Sequence, residues 1–153
     1  MEFEDCVQES IARHQKSFNL ILYNLPEPEG DDKEAEDVST VSTIIDTIKP
    51  RNPSFASVFR IGKFSNKPRP VKVKFFDNDS PLFMLRNKRR LLGTQFSRVV
   101  LKDDLTKYQI NYLHKVREEL EKRKILDKDL TIKYINKVPT IVNTNQQPTA
   151  KNE

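Results

Sequence analysis

The chain has 153 residues, the length of one domain or of one domain with a small appendage. Its single cysteine, Cys6, excludes an internal disulfide and a zinc knuckle, and it fits a reducing compartment. No apolar run is long enough to span a membrane, and the acidic N-terminus lacks the apolar block of a signal peptide.

Charge is distributed unevenly along the sequence. Residues 1–50 carry 4 Lys/Arg against 12 Asp/Glu, whereas residues 51–153 carry 23 against 10. The net charge of +5 therefore combines an acidic front with a basic body. Basic surface on this scale favours polyanionic partners, chiefly nucleic acid or acidic lipid, although ordinary solubilising charge explains it equally well on charge alone.

Strand and helix patterns alternate along the first two thirds of the chain. Residues 3–16 carry a narrow apolar stripe and predict a helix, either a frayed end or the last turns of a coiled coil. The apolar run 18–25 predicts a strand that ends before Pro26. The next predicted elements are an acidic segment over 27–37, a helix over 38–48, strands over 54–61 and 71–76, a helix over 80–92 capped by Ser80, and a strand over 97–102.

This order predicts the α+β class with an RRM-like split βαβ topology, written βαββαβ. A four-stranded antiparallel sheet over 17–103 would carry two helices on one face and leave the other face open.

A small second domain of one helix and one hairpin is predicted over 104–142. Its helix would begin after Thr106, which forms a capping box with Gln109. Two strands, 130–135 and 138–142, would then pair around Asn136-Lys137, and we expect the polar tail 143–153 to be disordered.

Alternation along the strands predicts what the open face carries. In the third strand Val71, Val73 and Phe75 alternate with Lys72 and Lys74, so an apolar core face puts both lysines on the open face. The other open-face candidates, one aromatic and three basic, are Tyr23, Arg60, Arg98 and Lys102.

Two basic segments outside the strands extend the candidate surface. The loop after Gly62 is rich in Lys and Arg, and "RNKRR" (86–90) ends the second helix, where cations also favour the helix dipole. Arginine is the stronger candidate because its guanidinium holds phosphate in a fork. The candidates are Lys63, Lys67, Arg69, Arg86, Arg89 and Arg90.

Three stretches resemble a known family. "LILYNL" (20–25) resembles the first strand of RNA-recognition-motif (RRM) domains, with Ile21 at the position that is usually a stacking aromatic. "FRIGKFSNKPRPVKVKF" (59–75) resembles the RRM of first-open-reading-frame (ORF1-type) proteins of LINE-type non-LTR retrotransposons. "VVLKDDLTKYQINYLHKVREELEKRKILDKDLTIKY" (99–134) resembles the domain that follows that RRM, so the resemblance covers roughly 17–142.

The resemblance implies a nucleic-acid chaperone of a retrotransposon ribonucleoprotein, in cytoplasmic particles or the nucleus, that self-associates through an upstream coiled coil. Lysines at aromatic positions favour binding of single strands, RNA first, through a basic cleft with little sequence selectivity. The alternative from another class is a protein-interaction module of the same fold that does not bind nucleic acid.

No catalytic motif is present. Glycine occurs only at positions 30, 62 and 93, which excludes a glycine-rich phosphate loop, and neither a nucleophile elbow nor a His-Glu-x-x-His motif occurs. We therefore expect no enzymatic activity. We also expect no cofactor, no metal site and no membrane binding.

Overall fold

A computed structural model describes residues 2–145. The chain divides into two compact units, Met1–Leu105 and Thr106–Glu153. Within the described part of the chain, no helix combines the length and the apolar character needed to cross a membrane.

The first unit contains four strands and three α-helices, with a 3-10 helix after the third. Two residues separate helix α1 from β1, and the apolar residues Phe3, Val7 and Ile11 of this helix are exposed. In chain order the elements are α1 (Phe3–Lys16), β1 (Asn19–Tyr23), α2 (Lys33–Ile48), β2 (Phe55–Arg60), β3 (Val71–Phe75), α3 (Asp79–Arg86), the 3-10 helix (Lys88–Leu91) and β4 (Val100–Asp103).

The four strands form one antiparallel sheet in the order β2-β3-β1-β4. Leu20 of β1 lies opposite Val73 of β3, and Leu22 lies opposite both Val71 and Leu101, so the central apolar residues share one face. With α2 and α3 packed on that face, the βαββαβ order is the RRM-like fold, and the predicted fold class is confirmed.

The core lies between the sheet and the two helices. Val71, Val73 and Phe75 from β3 are almost completely buried against the apolar residues of α2 and Met84 of α3. Each such side chain contributes about 1.5–3 kcal/mol when it is removed from water. The apolar residues of α2 in this core are Val41, Ile44, Ile45 and Ile48.

A side-chain cap marks the beginning of α2, and a left-handed backbone conformation marks its end. Asp32 caps the helix by accepting a hydrogen bond from the backbone N–H of Ala35 at 3.1 Å, so α2 begins earlier than residue 38. It ends at Ile48, and the left-handed φ of 60° at the next residue, Lys49, turns the chain before Pro50.

The predicted cap of α3 was wrong. The N-cap position is Asn78, not Ser80, and it makes no side-chain cap hydrogen bond. The Oδ1 of Asp77, the residue before it, accepts the backbone N–H of Ser80 at 2.7 Å. The hydroxyl of Ser80 instead donates to the carbonyl of Asn52 at 2.9 Å.

The fourth strand is shorter than predicted. It begins at Val100, because the preceding residues form turns: the N–H of Ser97 donates to the carbonyl of Thr94, and that of Val99 donates to the carbonyl of Phe96.

The second unit consists of α4 (Lys107–Lys124), β5 (Leu130–Ile135) and β6 (Val138–Asn143). The predicted capping box is present, with Thr106 and Gln109 each accepting from the other's backbone N–H at 3.2 and 3.0 Å.

The hairpin turn is also as predicted, with left-handed φ values of 51° and 67° at Asn136 and Lys137. The type I′ turn that pairs two twisted strands requires such values. Asn143, the first residue of the predicted tail, lies in β6, and the N–H of Thr144 donates to the carbonyl of Asp129 at 2.9 Å. Residues 146–153 lie outside the described residues.

Candidate nucleic-acid interface

Lys72 and Lys74 lie on the face of the sheet that points away from α2 and α3. The residues that alternate with them, Val71, Val73 and Phe75, are in the core. Lys102 of β4 lies on the same open face, because Lys72 and Lys102 are both paired with Ile21 across β1. The sequence therefore predicted the position of these three lysines correctly.

The open face has two aromatic side chains, where the sequence indicated one. Tyr23 is 39% exposed, and the ammonium of Lys102 lies 5.7 Å from its ring centroid. Phe59, which the sequence analysis missed, lies opposite Lys72 and is 50% exposed. The ammonium of Lys72 is 5.9 Å from the Phe59 ring, so each aromatic has a cation over it.

Ile21 points to the open face but is buried among its neighbours. The usual RRM stacking position therefore offers no accessible ring here.

Arg60 does not lie on the open face, and its predicted place there was wrong. It pairs with the core residue Val71, and its side chain is only 5% exposed. The guanidinium donates to the two carboxylate oxygens of Asp37 at 2.7 and 3.0 Å. Its remaining hydrogen bonds, each 2.8 Å long, go to the carbonyls of Leu25, Pro26 and Arg69. Arg60 is thus a buried residue with a structural role.

Arg69 is also engaged within the protein. Its guanidinium binds Glu27 through two hydrogen bonds of 2.8 and 3.0 Å and lies 3.8 Å over the ring of Phe64. The side-chain hydrogen bond from Arg69 lowers the pKa of Glu27 to about 2 and, in turn, the carboxylate raises the pKa of Arg69. Lys63 and Lys67, on the same loop, are exposed and form no ion pair with any residue from 2 to 145.

The "RNKRR" segment belongs to the helix layer, on the other side of the sheet. Arg90 donates a hydrogen bond to the carbonyl of Ile48, the last residue of α2, and its guanidinium lies 5.4 Å from the Phe83 ring. Arg86 and Arg89 are exposed, and their side chains form no hydrogen bond or ion pair with the described residues. The predicted basic residues therefore divide between the two sides of this unit instead of lining one cleft.

Arg98 precedes β4 and lies in a turn, so strand alternation does not place its side chain on the open face. It is exposed, and its carbonyl accepts a hydrogen bond from Asn24 at 3.3 Å.

An acidic residue missed by the sequence analysis lies beside the lysines. Asp104 accepts a hydrogen bond from Asn19 at 2.9 Å and pairs with the ammonium groups of Lys72 at 3.3 Å and Lys16 at 3.4 Å. Its side chain is 11% exposed. No local pattern signals this contact, because Asp104 is 85 residues from Asn19 in the sequence.

The exposed lysines and exposed aromatic rings of the open face can together bind a flexible polyanion that also has aromatic rings. An exposed aromatic ring stacks on a base with a gain of about 1–3 kcal/mol and little demand on sequence. Lys74 and Lys102 are exposed and have no carboxylate partner within residues 2–145, so they are available to phosphate. Over the same residues, no three His, Cys, Asp or Glu side chains come close enough together to hold a metal ion.

The strand order and the two helices on one face of the sheet define an RRM-like fold. No family model matches the chain, and no curated protein matches it. Among solved structures it is similar to the RRM3 domain of Mip6, at 20% identity and a TM-score of 0.40 over 59% of this chain and 96% of that one.

Proposed function

We propose that this protein binds single-stranded nucleic acid, RNA first, with low sequence selectivity through the open face of its RRM-like sheet. The observation that carries the proposal is the pair of exposed aromatics, Tyr23 and Phe59, each with a lysine ammonium within 6 Å of its ring. A base stacks on the ring while the lysine beside it reaches the phosphate of the same strand.

The strand register sets how the two rings are spaced. Phe59, Lys72 and Ile21 lie in one row across β2, β3 and β1, and Tyr23 is two residues further along β1. Strands about 4.8 Å apart and a rise of about 3.4 Å per residue put the Cα atoms of Tyr23 and Phe59 about 12 Å apart. Stacked neighbouring bases are only about 3.4 Å apart, so each ring takes its own base.

The contact residues we assign include the open face, the basic loop and the outlying arginines. All of them except the half-buried Lys72 are exposed, and Lys72 is also the one member that forms an ion pair with another described residue, Asp104. They are Tyr23, Phe59, Lys63, Lys67, Lys72, Lys74, Lys102, Arg86, Arg89 and Arg98.

The finer proposal is a nucleic-acid chaperone in the ribonucleoprotein of a LINE-type retrotransposon. Its support is the resemblance of residues 59–75 and 99–134 to ORF1-type proteins. In that role the protein resides in cytoplasmic ribonucleoprotein particles, with the nucleus as a second compartment, and self-associates through an upstream coiled coil.

A salt titration tests the binding mode. The affinity for a single-stranded RNA of about ten nucleotides, for the same DNA strand and for a duplex is measured across a KCl series by fluorescence anisotropy. The three open-face lysines alone predict a log–log slope of about −2 on single strands, and each further cation that reaches a phosphate adds about −0.7. A flat salt dependence, or a preference for duplex, would overturn the proposal.

Two triple variants identify the surface. Lys72→Gln, Lys74→Gln and Lys102→Gln together should reduce the magnitude of the slope by about 2. The matched control makes the same change of charge in the second unit, at Lys128, Lys133 and Lys137, and should keep most of it.

The protein-interaction alternative is separated by size-exclusion chromatography before and after RNase treatment. Assemblies held by RNA collapse on treatment, whereas assemblies that persist support the interaction module instead.

A further inference from the structure

The Asp104 carboxylate is held by donors from three different elements. Lys16 is the last residue of α1, Asn19 is the first residue of β1, and Lys72 is on β3. Their donor atoms lie 3.4, 2.9 and 3.3 Å from the carboxylate oxygens. The three donors therefore form a site for one anion at the end of the open face, and the carboxylate of Asp104 occupies it.

The donors in this site are those that bind a backbone phosphate. An amide N–H and two ammonium groups converge on negatively charged oxygens, as charge-assisted contacts to phosphate do. The site is also continuous with the proposed interface, because Asn19 is paired with Lys74 and Lys72 lies over the Phe59 ring.

The amide of Asn19 shows that the site is organised around its anion. Its Nδ2 donates to Asp104, while its buried Oδ1 has no hydrogen-bond partner among the described residues. Leaving a buried acceptor unpaired is unfavourable, so donation to the anion holds the amide in this orientation.

We infer that Asp104 occupies the position of a backbone phosphate, and that a single strand binds by displacing it from Lys72 and Lys16. This inference rests on the proposed function. Asp104 is then an internal competitor that weakens binding, and displacing it also releases the end of α1 from the sheet.

Two adjacent aspartates provide a matched test. Asp104→Asn and Asp103→Asn change the net charge equally, but Asp103 is exposed and pairs with no cation within the described residues. We expect Asp104→Asn to bind an oligouridylate of about ten nucleotides roughly three- to tenfold more tightly than Asp103→Asn. Its salt slope should be steeper by up to about 0.7, because no freed carboxylate takes up a cation on binding. Equal affinities for the two variants would overturn the inference.

A measurement on the unaltered protein removes the dependence on folding of the variants. The side-chain carboxyl ¹³C resonance of Asp104 is followed as the oligouridylate is added, with Asp103 as the internal reference. Displacement moves the Asp104 signal and leaves the Asp103 signal nearly in place, whereas an unmoved Asp104 signal at saturation contradicts the inference. If the unaltered protein binds no oligonucleotide, the proposed function itself is wrong, which is a different result from binding without displacement.

Discussion

Asp37 of α2 receives two hydrogen bonds, at 2.7 and 3.0 Å, from the guanidinium of Arg60 at the end of β2. The two side chains are only 10% and 5% exposed. Arg60 also donates to three backbone carbonyls, two in the segment after β1 and one in the segment before β3. One guanidinium therefore links both segments and β2 to α2. Arg60, which lies in the stretch 59–75 that resembles ORF1-type proteins, therefore has a structural role in this chain.

The first prediction follows from this buried pair. Asp37→Asn keeps the shape of the side chain but removes its charge, and it leaves the buried guanidinium of Arg60 with only the more distant carboxylate of Glu27, at 3.7 Å. Removing one partner of a buried ion pair costs about 3–5 kcal/mol, so we expect a loss of that size in the free energy of unfolding from urea denaturation. Glu34→Gln, an exposed change on the same helix, is the control and should change stability by less than about 0.5 kcal/mol.

The second prediction concerns acid stability. The pKa of Glu27 is lowered from 4.5 in an unperturbed carboxyl to about 2 by its contact with Arg69. A carboxyl with a depressed pKa in the folded state stabilises the fold above its unfolded pKa, and that contribution is lost as the pH falls through the window from about 4.5 to about 2. The difference in melting temperature between the unaltered protein and Glu27→Gln should therefore be largest near neutral pH and should shrink across this window. A difference that does not change with pH would show that Glu27 acts through shape rather than charge.

The third strand shows where the sequence is sufficient. Val71, Val73 and Phe75 leave no other face for the core, so Lys72 and Lys74 could be placed on the open face from alternation alone. The first strand is a nearly continuous apolar run, so its shortness and the flanking Pro26, rather than alternation, identify it as a strand.

The second strand shows where the sequence is insufficient. In "FASVFR" apolar residues occur at both parities, and the pairing with β3 shifts register between Phe55 and Ser57. This β-bulge puts Phe55 opposite Phe75 on the core face, yet Phe59, four residues on, points to the open face and Arg60 points inward. No local pattern reveals such a shift. The same holds for Asp104, whose partners come from distant parts of the sequence.

The third prediction tests the two aromatics of the open face. Phe59→Ala and Tyr23→Ala should each weaken binding to single-stranded RNA by about 1–3 kcal/mol, the contribution of one stacked base, with little change in melting temperature. Phe64→Ala is the matched control. This exposed ring lies in the loop before β3, off the sheet, and contacts the cationic groups of Arg69 and Lys33. Equal losses for all three variants in the anisotropy assay would show that the sheet is not the stacking surface.

The fourth prediction separates two neighbouring arginines of the helix layer. The side chain of Arg90 donates to the carbonyl of Ile48 at the end of α2, whereas Arg89 is exposed and its side chain forms no hydrogen bond or ion pair with the described residues. Arg90→Ala should therefore cost about 1 kcal/mol and lower the melting temperature by about 4 °C.

Arg89→Ala is its counterpart and should leave the melting temperature unchanged. Losing one phosphate contact on that side of the unit should weaken RNA binding about threefold and reduce the salt slope by about 0.7. Scanning calorimetry and anisotropy on the same two variants give both readouts. If Arg89→Ala leaves affinity and slope unchanged, the helix layer makes no contact with the bound strand and the interface is confined to the open face and its loop.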